Sequence, residues 1–515
     1  MDSRRGSRGL VRSIASNWMT FLFSGGINFV VSPIIVRSLG ETQYGAWTLL
    51  ISMVGYLGLL DLGVRSAVTR YIAKFHAGGD HERANRLYSA ALRIFAVAGT
   101  VAIVLSFGMA ALLGHVFNIP PELIGTARVV TVISGVTVAI ALVSGVFGGV
   151  VIGLERFDYY NAIEIIISAV RALTIVTVLK TGNGLIALAL VQLGAALARG
   201  LANVWFSWKL YPQLHLSPRG WDRESAKLIF QFGLAASLLH VMGSLMLYSD
   251  SLVIGAFLPI GMITYFSIAS GLSEYARSIV SGVSTTLTPR ISALQAGGQQ
   301  SDLQVALLTT ARVSSLVVLP IVVTFVLRGA SFIGLWMGPQ YSELSGQILI
   351  VLSATLATLS GYQIVTAAML GMGRQSGLIP VFIVEAVTNL VLSVVWVRAF
   401  GVIGTAMATM IPRVIISTLV GPWYVKRHLA MSLRKFWLHA FIQPALAMVP
   451  FAIATYTVER FWPARNLAVF FLQVFAVLPI MLITSWYVCL SRSERTAVAG
   501  LLARPVRRAD PVPDP

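Results

Sequence analysis

Charged and amide side chains set inside apolar runs are where this sequence places its chemistry. Glu274 and Arg277 stand three residues apart in the run 262–288, so a helix puts them on one face. Asp61 and Arg65 stand four apart where the run 45–66 ends, with Arg70 just beyond. His240 and Asp250 share the run 228–257, and Asn28 sits in the run 14–36. A charge in hydrocarbon costs several kcal/mol unless it is paired or wet, so each embedded one is a functional candidate by default. Guanidinium groups offer forked donors to phosphate. Asp250 and Glu274 can exchange a proton or a cation, and His240 can titrate near neutral pH. Packing roles stand beside these. Glu274 and Arg277 can form a self-neutralised pair, Asp250 an interfacial carboxylate and His240 a hydrogen-bonded packing residue. Arg65 and Arg70 can be basic anchors at a membrane face, and Asn28 carries no specific signal. Glu164, Arg171, Arg199, Glu385, Asn389 and Arg413 are also embedded, with no partner assignable from sequence.

No enzyme constellation accompanies them. The seven histidines and the single Cys489 form neither HExxH nor a Cys/His cluster, so no metal and no cofactor is expected. Walker A and GxSxG motifs are absent from the sequence.

These groups need helices that cross a bilayer to hold them. Of 515 residues, 56% are hydrophobic and 11% charged, and mean hydropathy is +0.80. Soluble domains carry about 25% charged residues. The composition excludes a soluble body, a disordered chain and a disulfide scaffold. About 20 apolar residues cross the hydrocarbon, and on that measure the chain divides into about fourteen spans. Most of its 38 Lys and Arg then fall on the side of the N-terminus. Both termini are therefore expected in the cytoplasm, and the net charge of +18 needs no nucleic acid to explain it.

The chain also repeats itself. Ala77-Gly78-Gly79-Asp80 returns 219 residues later as Ala296-Gly297-Gly298-Gln299, with hydropathy in register around both. An even number of spans per unit makes the repeat parallel, with an axis along the membrane normal. The expected organisation is a basic cytoplasmic N-terminus (1–13), a six-helix N-lobe (14–209), a cytoplasmic linker (210–227), a six-helix C-lobe (228–425), an accessory helix pair (426–490) and a disordered cytoplasmic tail (491–515). Pro320, Pro412 and Pro444 are expected kinks, and Gly55, Gly58 and Gly63 permit bending or close helix approach.

One stretch carries a family likeness. Leu39-Gly40-Glu41-Thr42-Gln43-Tyr44-Gly45-Ala46-Trp47, then Leu59-Leu60-Asp61-Leu62-Gly63 and Arg70, resembles the polysaccharide transporter family, the bacterial O-antigen and exopolysaccharide flippases. The superfamily also holds the multidrug and toxin extrusion (MATE) transporters and the lipid II flippase. The resemblance implies an all-α, polytopic, MATE-like membrane protein in the bacterial inner membrane, and a transporter rather than an enzyme. It implies flipping of a polyprenyl-pyrophosphate-linked oligosaccharide to the outer leaflet by alternating access. The phosphate role would fall to Arg277, with Arg65 or Arg70 at the mouth. Membrane lipids, other polysaccharide assembly proteins and H+ or Na+ coupling are its implied partners. Two readings compete: a cation-coupled multidrug exporter of the same superfamily, and a membrane glycan polymerase or ligase. The latter wants a larger outer loop than this chain has.

Overall fold

Long apolar runs without water must satisfy their backbone internally, and a helix does so within one segment. The computed structural model describes residues 2–217, 223–285, 287–373, 375–429, 431–492 and 494–496. The side chains of 2–18, 21–22, 234–236, 238–240, 283–290 and 375–376 are outside the description. His240, the basic side chains before Asn17, Arg290 and the tail from 497 therefore lie outside the described residues.

Among the described residues every regular element is helical. The helices are α1 (Asp2–Gly55), α2 (Val64–Ala77), α3 (His81–Val116), α4 (Pro121–Gly153), α5 (Phe157–Lys180), α6 (Leu185–Leu210), α7 (Arg223–Phe257), α8 (Met262–Thr285), α9 (Leu287–Ala296), α10 (Gln300–Trp336), α11 (Ser342–Ala357), α12 (Leu359–Gly371), α13 (Ile379–Ile415), α14 (Gly421–Leu429), α15 (Leu433–Trp437), α16 (Gln443–Phe461) and α17 (Leu467–Val488). This is a multi-pass membrane protein.

Helix length alone does not confirm the fourteen spans expected. Among the described residues nine helices are long and apolar enough to cross a membrane, or ten when the bent pair α11–α12 is one span. Continuous helix is not the same as one crossing. In α13 the Asn389 Nδ2 donates to Thr409 Oγ1 at 3.0 Å. In a straight helix twenty residues span about 30 Å, so the chain doubles back between them. It does so at Gly401, whose φ of 60° and ψ of −145° leave the helical region. Gly40, with φ 73° and ψ 175°, breaks α1 in the same way. Val241–Phe257 of α7 is a shorter apolar stretch beside these.

The repeated tetrapeptides build the same turn. Gly79 and Gly298 take φ of 68° and 67°. Gly78 N–H donates to Lys74 and Asp80 N–H to Phe75, and Gly297 and Gln299 donate in the same way to Ala293 and Leu294. A left-handed residue capping a helix with these two bonds is a helix-stop that glycine adopts without strain. Gly182 and Gly401, with φ of 80° and 60°, stand at the same 219-residue offset although their flanks share no motif.

Packing divides the chain into two compact units. One comprises Met1–Ser270, Trp336–Ile348 and Ile379–Pro412, and the other Gly271–Leu335, Leu349–Leu378 and Arg413–Pro515. The first has its core where α2, α3, α4 and α7 meet, around Val68, Ile72, Leu87, Phe95, Val146 and Ile229. α2 is basic at its surface, yet Val64, Ala67, Val68, Ile72 and Phe75 form a buried helical stripe. In the second, Met448, Phe451, Val477 and Met481 of α16 and α17 pack with Leu316, Leu319 and Val323 of α10. Pro412 is followed by a π-turn at Ile416–Val420, and Pro444 follows another at Leu438–Ile442.

Two glycines bear on the expected close approach. A Cβ on Gly55 would lie 2.6 Å from the Tyr248 ring, and one on Gly63 would lie 2.6 Å from the Gly233 backbone. Gly63 also has φ 72°. Gly63→Ala is therefore expected to cost about 1–3 kcal/mol, from a left-handed alanine and a backbone overlap that cannot relax cheaply. Thermal unfolding of the purified protein would read this, and an unshifted midpoint would refute it.

At the C-terminal end Arg312 donates to the Cys489 carbonyl at 2.6 Å and to Glu494. Burial pushes the Glu494 carboxyl up, but hydrogen bonds from Arg312 and Ser491 outweigh it and hold the group at about 2. A depressed carboxyl stabilises fully above its ordinary value of about 4.3 and loses that contribution as pH falls toward about 2. Glu494 is 35% exposed, so solvent screening trims the worth of the pair to about 1 kcal/mol. Glu494→Gln is expected to unfold more easily than wild type at pH 7, with the gap closing as pH falls below 4.3. A gap independent of pH would contradict this.

Candidate functional site

Three polar constellations are built on the helices. The first is a stripe along α8. Ser267, Ser270, Glu274, Arg277 and Ser281 recur at helical spacing and are part-exposed, while Ile263, Phe266, Ala269, Leu272, Ala276 and Val280 are buried. Arg277 Nη2 lies 3.1 Å from Glu274 Oε2, with side chains 40% and 46% exposed. The Gln363 amide donates to Ser281 at 2.7 Å. α8 is not among the helices apolar enough to pass as a membrane span.

The second surrounds Asp250, which is 4% exposed on α7. Thr409 donates to its Oδ2 at 2.8 Å and Ser393 to its Oδ1 at 3.2 Å. Ser249 donates to Asn389 at 3.3 Å. The reversal at Gly401 is what brings Ser393 and Thr409 to one carboxylate. From sequence Asp250 is either a functional carboxylate or an interfacial one; the structure buries it among hydroxyl and amide groups. Among the described residues no group of three or more His, Cys, Asp and Glu could hold a metal ion.

The third lies among α2, α4, α5 and α6. A cavity of about 350 Å³ is lined by Arg65, Tyr160, Glu164, Arg199 and Asn203, with Gly145 and Gly148 of α4 as its floor. Arg199 Nε is 2.7 Å from Glu164 Oε1. Arg65 Nε is 3.7 Å from Asp61 Oδ2, and its backbone N–H donates to Asp61 Oδ1 at 3.4 Å. The chain reaches this point through left-handed Leu62 and Gly63, which end the short 3₁₀ turn Tyr56–Asp61 and start α2. A Cβ at Gly145 would sit 2.8 Å from Arg65 Nη2, so glycine there makes room for the guanidinium.

The remaining sequence candidates scatter. Arg70 sets its guanidinium 4.6 Å from the Phe232 ring centre, within cation–π range. Asn28 accepts a 3.4 Å hydrogen bond from Arg171, which also donates to Gln192 at 3.3 Å. Sequence named Glu164, Arg171 and Arg199 without partners; their pairing depends on contacts between different helices. Arg328 stands near the end of an apolar run. It is 1% exposed inside α10, bonded to Glu459 at 2.6 Å and Gln473 at 2.5 Å. A basic residue near the end of an apolar run reads alike whether it faces water or is buried.

Residues 10–295 match the model of a family described as Polysaccharide biosynthesis protein. That is more than half of the chain. The chain belongs to the polysaccharide biosynthesis protein family. A putative O-antigen transporter of Shigella flexneri is 21% identical over 424 residues, covering 81% of this chain and 98% of the relative. Among solved structures, the lipid II flippase MurJ in an inward closed conformation aligns with a TM-score of 0.71 at 13% identity, over 96% of this chain and all of that one. An inward-facing MATE family multidrug resistance transporter of the MOP superfamily aligns with a TM-score of 0.69 at 16% identity, over 81% of this chain and 95% of that one. The family chain therefore has the MATE-like, all-α fold that the resemblance implied.

Proposed function

We propose that this family member flips a polyprenyl-pyrophosphate-linked oligosaccharide from the cytoplasmic to the outer leaflet of the bacterial inner membrane. The observation that carries the reading is the α8 stripe. A helix of that length with a part-exposed line of Ser, Glu and Arg is suited to a wet cavity and unsuited to lipid. Bare pyrophosphate in hydrocarbon carries a prohibitive solvation cost, and a guanidinium in a polar path offsets it. The prenyl tail stays in lipid while the head crosses. The two lobes of the sequence reading, 14–209 and 228–425, would alternate access, with both termini in the cytoplasm. Outward movement of negative charge is helped by an inside-negative potential, by about 2.3 kcal/mol per charge per 100 mV. The names of the O-antigen transporter and the lipid II flippase support this substrate class.

The test is reconstitution. Fluorescent polyprenyl-pyrophosphate disaccharide in proteoliposomes should cross to the inner or outer leaflet only when the protein is present. Folded protein that moves no such lipid, but exchanges drugs for protons, would replace this reading with the exporter.

Cation or proton coupling is assigned in the same reading to Asp250. Its carboxylate, the Thr409 and Ser393 hydroxyls and the Asn389 amide are oxygen-rich groups suited to a proton or Na+. Asp250→Asn is expected to reduce the response of flipping to a Na+ or pH gradient by about tenfold. An unchanged response would remove Asp250 from coupling.

A further inference from the structure

We propose that the cavity among α2, α4, α5 and α6 is a binding site for a phosphate or diphosphate group, separate from the α8 stripe. Its chemistry is concentrated. Arg65 and Arg199 line it; Arg65 Nε–H is buried with no hydrogen-bond partner among the described atoms, while Arg199 Nε faces Glu164. Asn203, 3% exposed, presents an unpartnered Oδ1 there. Tyr160 adds a side chain that feels the charges of Arg65, Arg199 and Glu164. Two guanidinium groups and one carboxylate line the cavity, and Asp61 beside Arg65 offsets one of the positive charges. Arg171, whose Nε is likewise buried and unpartnered, adds positive charge within reach of Arg199 and Glu164.

Geometry favours an oxyanion over a purely structural network. Glu164 engages Arg199 through one contact and leaves the rest of the planar fork available. Asp61 stands 3.7 Å from Arg65 Nε, beyond hydrogen-bond range. The volume of about 350 Å³ exceeds a single water's share, about 30 Å³, many times over. A second cavity of about 440 Å³ lies across the Ser144–Gly200 contact, and its lining, including Ile103, Ala139, Phe147 and Leu197, is almost wholly apolar. The arginines are gathered in one of two neighbouring cavities. Phosphate is the ligand chemistry that planar forked donors match best. Its source is a lipid-linked diphosphate, a phospholipid head group or a free anion. In the first case the site rests on the flippase reading and would be a waiting position for the substrate head.

The test titrates inorganic pyrophosphate into the full-length protein in detergent, with calorimetry as the readout. Arg65→Gln and the charge-balanced double variant Glu164→Gln/Arg199→Gln should each weaken binding by about tenfold or more. Arg434→Gln, at an exposed basic position elsewhere, should not. Gly145→Ala, which crowds Arg65, should weaken it too. Folded wild type that binds no pyrophosphate overturns the proposal, and so does equal weakening in Arg434→Gln. Competition then identifies the source. Displacement by polyprenyl pyrophosphate supports the lipid-linked substrate, displacement by phosphatidylglycerol a head group, and resistance to both a free anion. Flipping is measured on the same preparations. Protein that binds pyrophosphate here but flips nothing refutes the flippase reading and leaves the site standing. Protein that flips while all variants bind alike refutes the site alone.

Discussion

Arg277→Ala is expected to slow flipping of the lipid-linked oligosaccharide by about tenfold to a hundredfold, and to leave the protein folded. The magnitude follows from one charge-assisted hydrogen bond, worth about 1.5–3 kcal/mol, removed from a phosphate on its way across. Folding is spared because the pair is open. Arg277 and Glu274 are 40% and 46% exposed, so Glu274 left alone remains hydrated, and ion pairs of this kind are worth about 0–1 kcal/mol. Arg277→Lys keeps the charge but loses the fork, and should fall between alanine and wild type. Initial rates in proteoliposomes, normalised to protein that elutes as a single species, separate the cases. A normal rate for Arg277→Ala would make the pair a packing element and shift the phosphate role elsewhere.

Different physical signals made different parts of this protein legible. Membrane class follows from composition, because no soluble surface can be covered with 11% charged residues. The repeat of residues 77–80 at 296–299 was readable as a motif, and the structure supplies its reason: both copies hold a left-handed helix-stop that glycine adopts without strain. Gly182 and Gly401 are also left-handed and stand at the same offset, although their neighbours differ. Counting long helices merges crossings where the chain reverses inside one continuous helix, as it does at Gly401 of α13. The candidate site shows the same division. Asp61–Arg65 and Glu274–Arg277 lie within one turn of their own helices, so spacing alone pairs them. Glu164–Arg199 and Asp250–Thr409 join different segments, and no local pattern encodes which helix faces which.

Arg328 is the clearest case of a charge whose meaning is set by tertiary contact, and it carries the largest expected stability effect. Its guanidinium bonds Glu459 at 2.6 Å and Gln473 at 2.5 Å, and lies 4.5 Å from the Phe470 ring centre. Ser331 donates to the other oxygen of Glu459. α10, α16 and α17 thus share one buried polar knot. Arg328→Ala leaves Glu459, only 19% exposed, without its counter-charge. Such a loss costs about 3–5 kcal/mol, more than the pair itself contributes over an apolar replacement. The double variant Arg328→Met/Glu459→Leu removes both charges and should recover most of that loss, since two apolar groups of similar volume can replace a buried pair at little net cost. Thermal unfolding followed by tryptophan fluorescence would order the three proteins as wild type close to the double variant and both well above Arg328→Ala. Should the single variant unfold with wild type, Glu459 has water or another cation to turn to, and the knot is not what holds α16 and α17 to α10.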